Sequence, residues 1–145
     1  MPEPSHSVLV DLNVVLDVLQ KREPHFPSSA RVWAAVETGT IRGFLAAHSV
    51  TTLFYLLQRR LSQAAAAAVI EDLLAVFAIA PVDESILRLA LSYRYKDLED
   101  AVQMAAAVRC GADYLITRNP KDFSPGAVTV LQPAELAAIL GAADG

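Results

Sequence analysis

The sequence predicts an α/β fold of three layers, α/β/α, in which a mostly parallel sheet of four or five strands is covered by helices on both faces. Three observations carry this. The apolar run Ser7–Val10 ends in Asp11, and the pattern changes there at once to helical spacing, with Leu12, Val15, Leu16 and Leu19 on one face. Much later, Lys96 to Phe123 reads as an alanine-rich helix, a short apolar strand and a polar loop. Between these two stretches, strands and helices alternate. Residues 1–145 show no linker and no internal repeat, so one domain is expected.

In order along the chain, Lys21–Pro27 reads as a loop because of its prolines. Ser28–Glu37 reads as a helix, with Ser28 or Ser29 as its cap and Gly39 past its end; Trp33 falls among its core residues. Ile41–Ala47 is the second strand. Helical spacing returns over Ser49–Arg60, with Val50, Leu53, Phe54 and Leu57 as its apolar stripe. Gln63–Leu74 is a further helix whose Ala64–Ala68 run is a strong helix former. Val76–Pro81 gives the third strand, and Asp83–Tyr93 a helix capped by Asp83. Tyr114–Thr117 is the fourth strand and Val128–Leu131 the fifth. Pro133–Leu140 closes the chain as a helix with proline in its first turn.

Composition narrows the function classes. With 54% hydrophobic and 19% charged residues the chain is globular, and no apolar run is long enough to span a membrane. The N-terminal M-P-E-P-S-H-S makes a poor signal peptide, so a cytoplasmic protein is expected. The single Cys110 excludes an internal disulfide and a thiolate zinc cluster, and reads as a small buried hydrophobe. A net charge of −4 argues against a broad basic surface for nucleic acid. A nuclease remains compatible with it, because a bound cation can supply positive charge locally.

The residues with chemical potential are acids at strand ends. Asp11 ends the first strand, where it can either cap the next helix or serve a site. Asp97 and Asp100 are three apart at a helix start and share a face; they also suit a capping pair, with Asp97 as N-cap. Glu99 suits the helix dipole in either case. Asp122 follows the fourth strand by one short loop. Acids from several strand ends of one sheet converge, and their mutual repulsion is relieved by a hard cation such as Mg²⁺ or Mn²⁺. His6, His25 and His48 lack zinc spacing. An ion held by carboxylates would activate water and stabilise the charge that develops on a phosphodiester.

D-L-N from Asp11, E-D-A-V-Q-M-A-A-A from Glu99 and T-R-N-P-K-D-F from Thr117 together resemble the PIN-domain ribonucleases, and most closely the VapC-like toxins of toxin–antitoxin pairs. The resemblance runs from Val8 to about Leu136. It implies a metal-dependent endoribonuclease, a homodimer, and inhibition by an antitoxin protein. It matches Asp11, Asp100 and Asp122 to the family's metal-binding acids and Asn119 to a position filled by Asp or Asn. Asn13 and Thr117 match polar positions that orient acids or water.

The chain departs from the family at one point. Members usually carry a Glu in the helix after the second strand, and Phe54 or Tyr55 stands there here, with no carboxylate between Glu37 and Glu71. Asp97 is the expected replacement around the ion, with Thr51 or Tyr55 contributing a hydroxyl. Basic residues near helix ends and loops offer RNA contacts: Lys21, Arg22, Arg59, Arg60, Arg94, Lys96, Arg118 and Lys121. Of these, Arg118 and Lys121 flank the acidic loop and are expected to clamp a phosphate. Tyr93 and Tyr95 suit either base stacking or packing. A binding module with a degraded metal site is the competing reading. A phosphatase of another α/β fold is more distant, because such enzymes generally need an Asp where Asn13 stands.

Overall fold

The computed structural model describes residues 3–144. Five parallel strands form one sheet in the order β3-β2-β1-β4-β5. They are β1 (Ser7–Val10), β2 (Arg42–Ala46), β3 (Ala78–Ala80), β4 (Tyr114–Ile116) and β5 (Thr129–Leu131). Seven helices connect and follow them: α1 (Leu12–Leu19), α2 (Phe26–Glu37), α3 (Ala47–Gln58), α4 (Gln63–Val76), α5 (Glu84–Ser92), α6 (Leu98–Arg109) and α7 (Pro133–Asp144). A single 3-10 turn, Pro120–Phe123, links β4 to β5. None of the described helices is long and apolar enough to cross a membrane.

Alternation along the strands builds the three layers. Val8 and Val10 of β1, with Leu45 and Ile116, face a core shared with α1, α2, α3, α4 and α7. Leu9, Phe44 and Leu115 face the other way, onto Met104, Ala106 and Ala107 of α6 and onto Phe123. Helix α5 lies behind α6, with Ile86 and Ala90 against Ala101, Val102 and Ala105. Because α6 is covered by the sheet on one side and α5 on the other, all seven residues from Ala101 to Ala107 are buried. Four of the seven are alanines, whose small side chains let α6 approach both neighbours closely.

Two helix starts differ from those the sequence predicts, and at the other ends α4 runs on to Val76 and α7 to Asp144. Helix α2 begins at Phe26, not Ser28, and Pro27 lies inside its first turn, where a missing N–H costs no helical hydrogen bond. Neither serine caps it: Ser29 is buried within the helix and His25 occupies the cap position. Helix α3 begins at Ala47, directly at the end of β2 and two residues before Ser49. The expected caps Asp83 and Asp97 are both in place, accepting from the backbone N–H of Ile86 (3.0 Å) and of Asp100 (3.3 Å). Trp33 packs edge-on against Phe77 with ring centroids 5.5 Å apart. Cys110 is half-buried at the C-cap of α6, so it ends that helix instead of sitting within it.

Gly43 sets how closely α2 can approach β2. A Cβ added there would lie 2.7 Å from Val36 Cγ2 and 3.0 Å from the Phe77 ring. Both neighbours are themselves buried in the main core. Gly43→Ala is therefore expected to destabilise the fold by about 1–3 kcal/mol through overpacking, seen as a lower midpoint in urea. An unchanged midpoint would mean that α2 shifts without cost.

Candidate active site

The sheet order places a crevice at the carboxyl ends of β1 and β4. From β1 the chain moves outward through β2 and β3, then returns to put β4 on the opposite side of β1. Ligand sites of open parallel sheets form at such reversals. Val10 pairs with Ile116, so the next residues, Asp11 and Thr117, stand side by side.

Asp11 occupies the N-cap position of α1, yet its carboxylate makes no capping bond. Thr117 Oγ1 donates to Asp11 Oδ2 at 2.8 Å, and Gln103 Nε2 of α6 donates to Oδ1 at 3.0 Å. The carboxylate is thus fixed from two elements while only 5% of the residue is exposed. Thr117 Oγ1 also accepts from the backbone N–H of Asn119 at 3.1 Å, which orders the start of the polar loop. Gln103 Oε1 is buried with no hydrogen-bond partner among the described residues and remains an unused acceptor.

A cleft of about 220 Å³ opens over Asp11. Its walls include Asn13 of α1, Ser49 and Thr52 of α3, and Asp97, Glu99, Asp100 and Gln103 around the start of α6, with Asp122 from the 3-10 turn. A second cleft of about 380 Å³ shares Asp97, Asp100 and Asp122 and adds Arg94, Tyr95, Lys96 and Lys121. The acids at positions 11, 97, 100 and 122 are therefore brought together, with Asn13 beside them and Lys121 at the rim.

Electrostatics marks Asp100 as the strained member. Partial burial, then the charges of Asp97, Asp11, Asp122 and Glu99, push its carboxyl from the ordinary 3.8 up to about 7. Helices α1 and α3 both start at this cleft without side-chain caps, so their partial positive ends face the acids. That field offsets only part of the repulsion. Among the described residues, no three His, Cys, Asp or Glu side chains are gathered tightly enough to grip one ion as they stand.

Several expected contributors lie elsewhere. Arg118 does not line the acidic clefts: its Nε lies 3.0 Å from Oδ2 of Asp17, a fully buried carboxylate on α1. Burial pushes Asp17 above the ordinary carboxylate value, opposed chiefly by Arg118. Arg118 is thus committed to neutralising an interior charge, which removes it from the phosphate clamp. Asn119 is exposed and outside both clefts; its backbone, not its side chain, serves Thr117. Thr51 and Tyr55 also miss the cleft. Thr51 Oγ1 donates to its own helix at the His48 carbonyl (2.9 Å), and Tyr55 is 57% exposed with the Arg59 guanidinium near its ring. With α3 starting at Ala47, the residues facing the acids are Ser49 and Thr52, three apart on one side.

Three residues not singled out from the sequence complete the arrangement. Gln103 continues the series Asp97, Asp100, Gln103 at three-residue spacing, a pattern that was available to find it. Thr52 Oγ1 donates to Glu99 Oε1 at 3.1 Å, so Glu99 reaches across to α3. A carboxylate thereby stands against the helix that carries none of its own. Ser49 is the third, buried in the cleft wall one turn before Thr52. Tyr93 and Tyr95 stack on each other with centroids 5.7 Å apart, and Tyr95 Oη donates to the Pro125 carbonyl. Both are half-buried packing residues.

The PIN domain family profile matches residues 7–121, and the chain belongs to that family. The fold is also that of solved toxin–antitoxin proteins. VapBC-1 from nontypeable Haemophilus influenzae superposes with a TM-score of 0.70 at 15% identity, over 88% of this chain and 98% of that one. FitAcB from Neisseria gonorrhoeae gives 0.67 at 22% identity, over 88% and 98%. Mycobacterium tuberculosis VapC20, described as a Sarcin-Ricin loop cleaving toxin, gives 0.61 at 18% identity, over 74% and 86%. A comparison with curated proteins finds no match.

The raised Asp100 value has a measurable consequence for the metal-free protein. The folded state holds this proton up to about pH 7, whereas the unfolded chain releases it near 3.8. Between those values the folded state binds more protons, so this group's contribution to stability falls as pH rises through the window. Asp100→Asn removes the titration. In EDTA its melting temperature is expected to match that of the parent near pH 4 and to exceed it increasingly up to pH 8. A constant difference across that range would show that Asp100 is not under this repulsion.

Proposed function

We propose that this chain is a metal-dependent endoribonuclease of the VapC type, with Asp11, Asp100 and Asp122 holding Mg²⁺ or Mn²⁺ and Asp97 and Glu99 beside them. The observation that carries this reading is the convergence in one cleft of acids from β1, from the start of α6 and from the loop after β4, an arrangement that pushes the Asp100 carboxyl up to about 7. Repulsion of this kind is relieved by a hard divalent cation, which takes oxygen donors and keeps several waters. The donor set is entirely oxygen, and the unused Gln103 Oε1 is an acceptor suited to a water in such a shell. When bound, the ion would lower the pKa of a water and offset charge developing on a phosphoryl oxygen.

The chain's own residues have separable tasks in this scheme. Thr117 and Gln103 orient Asp11, leaving each of its oxygens a second lone pair. Lys121, at the rim, offers a point charge to a phosphate. Glu99, held by Thr52, supplies the carboxylate that α3 lacks. VapBC and FitAB assemblies among the structural relatives support an antitoxin protein as partner; a cytoplasmic, homodimeric toxin is the further expectation of this reading.

A second reading, a PIN-fold binding module with a weak metal site, is favoured by the absence of a carboxylate on α3 facing the cleft. Cleavage of a structured RNA pool separates the two. With Mn²⁺ the parent chain is expected to cut RNA, and EDTA to stop it. Asp100→Asn should cut at least about 100-fold more slowly, the scale of removing one transition-state interaction. Equal cutting by that variant would sink the assignment. No cutting by the folded parent would favour the binding module.

A further inference from the structure

Along α1 and α3 the acidic cleft gives way to a groove of opposite sign. It has a volume of about 290 Å³ and is lined by Leu16, Gln20, Arg22, Leu56, Arg59 and Arg60. Three arginines and no acidic residue line it, in a chain whose net charge is −4. Arg59 and Arg60 are exposed and make no ion pair among the described residues. Arg22 is half-pinned: its Nε donates to Gln20 Oε1 at 2.8 Å, and its NH1 is 4.0 Å from Asp17. Asp17 is already the closer partner of Arg118 at 3.0 Å, so it cannot neutralise the groove.

The groove and the acidic cleft have the same two walls. On α1 the lining passes from Leu12 and Asn13 to Leu16 and then Gln20; on α3 it passes from Thr52 to Leu56 and then Arg59. Each step is about one helical turn, so Arg59 follows Thr52, the residue that bonds Glu99, by about 10 Å along α3. A strand cut at the acids would carry its neighbouring phosphates into this reach. Guanidiniums match phosphate oxygens in bidentate geometry, and Leu16 and Leu56 offer apolar surface between them.

We infer that the α1–α3 groove bearing Arg22, Arg59 and Arg60 is a phosphate subsite that binds the RNA backbone beyond the cleavage site. This rests on the ribonuclease reading above. An anionic groove-binder of another kind, an acidic segment of a protein partner, has the right charge too. The placement of groove and carboxylate cleft along the same two helices favours RNA.

The test uses the full chain in EDTA, where binding is read without cleavage, by anisotropy of a fluorescein-labelled single-stranded RNA across a salt series. Arg59→Ala/Arg60→Ala should bind at least about 10-fold more weakly, with a salt slope shallower by about 0.7 for each phosphate no longer neutralised. Arg59→Lys/Arg60→Lys, which keeps the charge, should recover most of the slope. Both positions are exposed, and an unchanged circular-dichroism melt checks the fold. With Mn²⁺, the variant should lose more of its cutting on a long RNA than on a short oligonucleotide that spans only the acids. Equal RNA affinity in parent and double-alanine variant overturns the subsite. So does weakening confined to a labelled Glu-rich peptide, which would assign the groove to a protein partner. If the parent itself neither binds nor cuts RNA, the ribonuclease reading falls with it.

Discussion

Two hydrogen bonds to one buried carboxylate hold the site's geometry. Asp11 takes them from Thr117 at the end of β4 and from Gln103 inside α6. Sheet register, helix packing and the start of the polar loop therefore meet on a single side chain. A buried anion is tolerable only when charge-assisted bonds replace its water. The Asp17–Arg118 pair acts nearby as a second tie, joining α1 to the residue that follows Thr117. Removing its guanidinium would leave the buried carboxylate with only the more distant Arg22, 4.0 Å away, as ion-pair partner, a loss on the order of a few kcal/mol. The polar loop is thus anchored twice to the first strand–helix unit.

Against this fixed acid stands one that is not satisfied. Asp100 is half-buried, surrounded by like charge, and raised to about 7. The contrast sets two similar side chains apart: one carboxylate is positioned by neutral donors, and the other has like charges as its neighbours. Like charges gathered in this way oppose folding once they are ionised, the kind of cost that functional sites carry. Helix starts and a divalent cation act on that repulsion in the same direction.

The fold is legible in the sequence because its signals are periodic. Alternation in β1, helical spacing from Leu12 and the alanine-rich α6 each have one good structural solution. All five strands lie within about two residues of the positions their apolar runs predict, a normal margin at element ends. The site is legible in its acids and less so in their supports. Whether Asp11 caps a helix depends on what donors stand opposite it in space, and those come from residues 92 and 106 positions away. Gln103 lies on the face of α6 that carries Asp97 and Asp100, but among alanines it reads as part of a packed stripe. On α3 which of Thr51 and Thr52 meets the cleft depends on where α6 sets its acids in space, and it is Thr52 that bonds Glu99. Arg118 reads as available because sequence does not show that Asp17, on an otherwise apolar helix, is buried and in need of a partner.

Everything proposed for this cleft depends on its carboxylates closing around one divalent cation anchored by Asp11. The most direct measurement is an anomalous difference map from crystals of the metal-free protein soaked in Mn²⁺. The expected result is a single strong peak in the cleft, bonded to Asp11 and Asp100, with Thr117 and Gln103 still holding Asp11. A cleft without a peak at saturating Mn²⁺, or an ion bound away from Asp11, would contradict it.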